Sequence, residues 1–217
     1  MRLKNYILYS IIFLTGVISN AQLESGLLLG LTNATTADIN ATTDAAKGSL
    51  VFNTDTNQVY VFDGTSWNQM GKKTTYTGTF RISGSGTLSV SGIPFQPTSV
   101  SFVAYANVED FNIDSDNGTR NNETGLPNAY GSMKGFARDD NGSVTEQVIF
   151  NGGSGNSIND ISRYASDSHS IGVRYANQNG DKLGLTTATV TAFTSTGFTL
   201  NTDNYADGVV VIYEAHR

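Results

Sequence analysis

The sequence predicts an all-β protein, and three observations carry that prediction. Charged residues make up only 15% of the 217 positions while glycine occurs 23 times, a balance short of the Lys, Glu, Arg and Leu that amphipathic helices use. Apolar residues fall into short, strand-sized runs, as in residues 98–106 (TSVSFVAYA) and 208–214 (GVVVIYE). Turn formers separate the runs, most clearly at Asp139-Asp140-Asn141-Gly142. The expected architecture is an antiparallel β-sandwich head, jelly-roll-like, preceded by an extended N-terminal arm and a small β-hairpin.

Residues 1–21 have the three parts of a secretory signal: basic Arg2 and Lys4, an apolar run from Tyr6 to Ile18, and small residues at Ser19-Asn20-Ala21 before a cleavage that leaves Gln22 first. The apolar run is shorter than the ~20 residues of a spanning helix. The expected product is therefore secreted, extracellular or held at the cell surface. Cysteine is absent, which removes disulfides, thiolate metal sites, a cysteine nucleophile and a lipid-modified cysteine. Such a chain must be held by its own core, by metal or by oligomerisation.

Residues 22–47 read as a low-complexity arm. Its Gly26-Leu27-Leu28-Leu29-Gly30-Leu31 segment is too short to span a bilayer and too apolar to stand alone in water. It suits either a strand laid on a folded head or a seam where chains meet. The Asn-Ala-Thr triplet at Asn33 recurs seven residues later at Asn40, but one repetition does not make a coiled coil, so residues 32–46 read as flexible or fibre-like. Residues 48–71 read as a hairpin collar. Strands at 50–52 and 59–62 flank a polar turn from Asn53 to Asn57, and Asp63-Gly64-Thr65-Ser66 then delivers the only tryptophan, Trp67.

The head is expected over residues 74–217, with eight or nine strands. Runs at 77–82, 87–90, 98–106, 130–138, 143–150, 169–176, 183–193, 198–201 and 208–214 are strand-like, and 108–128 and 151–168 read as long polar loops. The run 98–106 is apolar on both faces, which predicts a central strand. Pro94 and Pro97 stand just before it, where they remove no ladder bond.

The wording GSLVFNTDTNQVYVFDGTSW at residues 48–67, after Gly26-Leu27-Leu28-Leu29 and a Thr/Ala tract, resembles a recurrent module of secreted bacterial surface proteins and phage tail-fibre-like proteins. Gly92-x-Pro94-Phe95-x-Pro97-x-x-Val100, Thr196-Gly197-Phe198-Thr199-Leu200 and Val211-x-Tyr213-x-Ala215 are similar to C-terminal heads of phage tail and tail-fibre-like proteins. The resemblance implies an extended homo-oligomer, a trimer, serving as an adhesive or structural appendage.

The formal charge is −6, and loss of Arg2 and Lys4 takes it two units further, to −8. A field of that sign repels phosphate backbones, so nucleic acid is not an expected partner. Residues 112–123 (NIDSDNGTRNNE) place oxygen ligands at alternate positions with a glutamate at the twelfth, as a calcium loop does. Asp114, Asp116 and Glu123 would be the Ca2+ ligands. Gly118 stands one place late for an EF-hand and no flanking helix is evident, so the same residues also suit a solvated polar loop.

Only His169 and His216 are available for acid–base work. Asp167-x-His169 has serines nearby, but no Gly-x-Ser-x-Gly elbow accompanies it, and both histidines read as exposed or structural. Glycosidase chemistry needs two converging carboxylates, for which Glu109, Asp110, Asp139, Asp140, Glu146 and Glu214 are present. The expectation is a non-catalytic adhesion or recognition protein. Its partner would be a cell-surface glycan or protein, met by loop residues Arg120, Tyr130, Arg163 and Tyr164; for any single aromatic the other reading is a place in the core. A purely structural, self-assembling fibre subunit is the alternative. A carbohydrate-active hydrolase working through Glu146 or Glu214 is the second.

Overall fold

The computed structural model describes residues 30–112 and 124–217, and the chain divides into two units, Met1–Gly71 and Lys72–Arg217. The proposed signal, residues 26–29 of the apolar segment, and residues 113–123 lie outside the described residues.

The first unit corrects the expectation of a flexible arm over residues 32–41. Strand β1 (Thr32–Ala34) is followed by a six-residue helix, α1 (Thr36–Ala41). Thr35 starts the helix through a reciprocal cap: its hydroxyl accepts from the Asp38 backbone N–H at 3.2 Å, and its own N–H donates to the Asp38 carboxylate at 3.1 Å. Ile39 buries the inner side of that turn. Strands β2 (Leu50–Asn53), β3 (Gln58–Phe62) and β4 (Trp67–Gln69) then form an antiparallel meander, with β1 added parallel to β2.

Both turns of this unit are built by side chains that replace the ladder. The Asn53 amide oxygen accepts from the N–H groups of Asp55 and Thr56, and the Asp63 carboxylate accepts from Thr65 and Ser66. Trp67 packs on Phe62 with ring centroids 5.3 Å apart, and its indole N–H donates to the Thr42 carbonyl at 2.9 Å. The tryptophan thus ties the residue that ends α1 to the sheet.

The second unit contains ten strands: β5 (Thr75–Ile82), β6 (Gly86–Val90), β7 (Ser99–Tyr105), β8 (Ala129–Asp139), β9 (Val144–Ser154), β10 (Ser157–Ser166), β11 (Ile171–Ala176), β12 (Lys182–Thr194), β13 (Gly197–Asn204) and β14 (Val209–His216). They form a six-stranded sheet in the order β10-β9-β8-β7-β14-β5 and a four-stranded sheet in the order β11-β12-β13-β6. The strand order refines the jelly-roll-like expectation: β7 to β10 and β11 to β13 are meanders of sequential neighbours, and β14 inserts between β5 and β7. All pairings in this unit are antiparallel. The two sheets pack face to face over one core.

Four rings dominate the middle of that core. Phe80 of β5, Phe102 of β7 and Tyr213 of β14 come from the six-stranded sheet, and Phe198 of β13 comes from the other. Phe198 stands edge-on to all three, at centroid distances of 6.0, 5.7 and 5.3 Å, the arrangement that ring quadrupoles favour.

The expected loop over residues 151–168 is corrected to strand: β9 runs on to Ser154 and β10 occupies Ser157–Ser166. Glycine is there because backbones approach closely. A Cβ on Gly152 would overlap the Tyr130 carbonyl oxygen and come within 2.7 Å of the Gly131 Cα. The Asn141-Gly142 turn is as expected. Both residues have positive φ, at 59° and 95°, and the Asp140 N–H donates to the Ser143 carbonyl at 2.7 Å.

Replacing Phe198 by alanine is expected to cost about 3–5 kcal/mol, because a ring fully enclosed by three others leaves a cavity; urea unfolding measures this. Gly152→Ala is expected to lower the unfolding midpoint clearly, while Gly84→Ala, where a Cβ meets nothing within 4 Å, leaves it unchanged.

Candidate functional site

The two sheets turn different chemistry outward. Along β12 and β13 the outward positions are threonine, asparagine and aspartate, including Thr189, Thr191, Asn201 and Asp203. Across the six-stranded sheet β5 turns out Thr75, Thr77, Thr79 and Arg81, but large apolar side chains stand exposed among the polar residues of the other strands. Tyr105, Tyr130, Ile149, Ile161 and Ile212 are 47–61% exposed, and Phe136 is 37% exposed. An antiparallel sheet with one wet face normally carries polar residues there, so this row marks the six-stranded face as the candidate site.

Clefts follow the same strands. An open groove of about 590 Å³ runs over β7, β8 and β9, lined among others by Val103, Lys134, Phe136 and Ile149. A second, of about 600 Å³, lies between Tyr105, Tyr130, Asn151 and Ile161. A third, of about 350 Å³, lies between Ile149, Asn151, Arg163 and Ala165. Asn151 lines all three. The sequence places it at the start of an expected loop; the strand-like run ending at Phe150, continued by one residue, was the available signal.

Among the residues expected to bind ligand, Tyr130 stands on β8 and Arg163 on β10, both facing outward on this sheet. Arg163 is paired with Asn151, which is paired in turn with Ser132, two positions along β8 from Tyr130. Tyr164, as the next residue along β10, turns inward. It packs on the core and against Gly172, with its hydroxyl 3.5 Å from His169 Nδ1. The side chains of Tyr164 and Arg163 therefore leave opposite faces of β10, although both residues border the third cleft. Arg120 and the three proposed calcium ligands Asp114, Asp116 and Glu123 lie outside the described residues.

The two carboxylates weighed for hydrolysis also point apart. Glu146 is 8% exposed on the inner face of β9, where its oxygens accept from the Val190 N–H at 2.6 Å and the Thr189 hydroxyl at 3.0 Å. Glu214 is exposed on the outer face of β14, within 3.5 Å of His216 Nε2. One joins the two sheets; the other faces solvent.

His169 is more than an exposed residue. Its Nε2 lies 2.9 Å from Asp203 Oδ2 and its Nδ1 lies 2.8 Å from Ser166 Oγ. Thr187 donates to Asp203 at 2.6 Å, and Asn204 donates to both. A Ser–His–Asp row of this kind can pass a proton from the hydroxyl to the imidazole. Here Ser166 Oγ also accepts from the Ser168 N–H at 3.2 Å, and the clefts described above are lined by other residues. The row instead fastens the β10–β11 corner onto β13, a contact between residues 34 apart in sequence.

Burial raises the Asp203 carboxyl, but the hydrogen bonds from Thr187 and His169 and the histidine charge outweigh it, so the net direction is down from the ordinary 3.8. A carboxyl lowered by folding stabilises the native state above its ordinary value, and that contribution disappears as the pH falls through the lowered one. The unfolding midpoint is therefore expected to drop below the ordinary value of 3.8, and Asp203→Asn is expected to flatten that drop while lowering the plateau above it; urea titrations at stepped pH check both.

Among the described residues no helix is long and apolar enough to cross a membrane, and no group of three or more His, Asp or Glu is gathered for a metal. No curated protein and no solved structure matches the chain. Residues 18–85, less than half of the chain, match a family model described as a phage tail like trimerisation region, and this match supports a homotrimeric, tail-fibre-like module.

Proposed function

We propose that the chain is an exported, non-catalytic adhesion protein: a homotrimer in which residues 18–85 join three copies and the β-sandwich heads recognise a surface glycan. The trimerisation match over residues 18–85 is the observation that carries this reading. The export signal, Arg2, Lys4 and the apolar run before Ala21, supports delivery outside the cell. Glycan recognition rests on the cleft between Tyr105, Tyr130 and Asn151 and on Arg163 close by. An aromatic face beside amide and guanidinium donors suits the apolar and hydroxyl sides of a sugar ring.

A purely structural fibre subunit is the second reading, and the exposed apolar side chains on the outer face of the six-stranded sheet favour it, since such a surface serves assembly as well as recognition. Neither reading uses a hydrolytic step. The engagement of Glu146 with Val190 and Thr189, and the placing of Glu214 on the other side of the sheet, support that.

Light scattering of the mature protein is expected to give the mass of three chains; a stable monomer at micromolar concentration overturns the reading. On a glycan array the trimer is expected to bind a defined subset of sugars. Arg163→Ala and Tyr130→Ala are each expected to weaken that binding by about tenfold, the loss of one good polar or stacking contact, without changing the unfolding midpoint. A trimer that binds no glycan and forms ordered polymers in the electron microscope selects the structural subunit.

A further inference from the structure

The outward face of the six-stranded sheet carries a cross-strand row over five of its six strands, which ends against Thr79 of β5. Ile212 of β14 is paired with Val103 of β7, Val103 with Lys134 of β8, Lys134 with Ile149 of β9, and Ile149 with Ala165 of β10. A single charge interrupts four apolar residues. Directly opposed cross-strand neighbours lie about 4.5–5.5 Å apart, so these side chains form one continuous strip rather than scattered exposures. Ile149 is 61% exposed and Ile212 is 47% exposed, and the groove of about 590 Å³ lies along the same strip.

We infer that this strip is the contact between heads, with a second copy of the same chain as its occupant. The inference rests on the trimer reading and names the surface through which the heads meet. Three observations select a copy of this chain over a foreign partner. The matched trimerisation region does not stop at the first unit; it runs to residue 85 and so takes in all of β5, which belongs to the sheet that bears the strip. Only residues 70–74 separate β4 from β5, so a trimer joined through the first unit holds its three heads at high local concentration, where even a weak contact closes.

The third observation is charge. The chain as a whole is acidic, at −6, and copies of it repel. The strip carries Lys134, and the row beside it on the side away from the cleft, Glu214-Ser101-Phe136-Gln147, carries Glu214, so here three copies meet with opposite charges balanced. In a threefold arrangement the contact is heterologous, one patch of a head against a different patch of the next. That lets Lys134 of one copy meet a carboxylate on the different patch of the next while the isoleucines are covered. The cleft at Tyr130 and Ile161 lies at the rim of this contact.

The absence of cysteine makes the test direct. Ile149→Cys and Ile212→Cys are introduced separately into the full mature chain, with Thr191→Cys on the outward side of the four-stranded sheet as the reference, and each is labelled with a bulky maleimide-polyethylene glycol. Ile149→Cys and Ile212→Cys are expected to react about tenfold more slowly than Thr191→Cys in the native protein, and all three at one rate in urea, the pattern of groups reached only by local opening. Light scattering on the same samples separates the two failures. Trimers in which all three cysteines react alike overturn the head contact, leave the face open to a foreign partner, and leave the trimer reading standing. Monomers with equal reactivity overturn both.

Discussion

The packing of Phe198 against Phe80, Phe102 and Tyr213 is the contact on which the rest of the head depends. No disulfide can join the two sheets because there is no cysteine, so side chains meeting across the layer must do so. Phe198 is the one ring of the four that comes from the four-stranded sheet, and it is fully buried. Its three partners sit on β5, β7 and β14, adjacent strands of the opposite sheet. The last strand of the chain is therefore locked between two early ones by rings as well as by its ladders, and the fold closes only when residues from both ends of the head are in place.

Polar contacts across the layer do different work. The Glu146 carboxylate reaches from β9 to the N–H of Val190 on β12, where the β12–β13 pairing shifts register. A buried carboxylate that satisfies a backbone donor offsets its desolvation through its hydrogen bonds, and its loss leaves the Val190 N–H unpaired. His169 and Asp203 make a second polar contact at the β10–β11 corner, on the outer surface of the four-stranded sheet. Of the two, the Glu146 contact crosses the layer, and the His169 contact ties the β10–β11 corner to β13.

The contrast between the outer faces gives the head a direction. Thr, Asn and Asp predominate on the outer side of β12 and β13, whereas exposed Ile, Val, Phe and Tyr stand among the polar residues of the six-stranded sheet. The binding cleft and the apolar strip share the second surface. The proposed recognition and the inferred head contact thus draw on the same strands, and Asn151, which lines all three clefts described on that face, stands where the two meet.

What the sequence by itself determined is local. The Asn141-Gly142 turn, the hairpin from Leu50 to Phe62 and most of the strand runs follow from positive-φ residues, side-chain turns and period-two alternation, all of which act over a few residues. The gaps lay where local chemistry is ambiguous. Residues 151–168 looked like a loop because glycine and serine are common in loops, yet Gly152 is there to let β8 and β9 approach closely. Residues 98–106, apolar on both faces, predict a central strand, and β7 is central in its sheet, with Tyr105 at its end facing outward and half-exposed. Only the tertiary structure decided that β14 lies between β5 and β7, that Glu146 is turned in and Glu214 out, that Tyr130 shares a face with Arg163 and not with Tyr164, and that His169 meets Asp203. Each of these depends on pairing between residues far apart in the chain, and alternation reveals that a strand has two sides without revealing which neighbour will cover either.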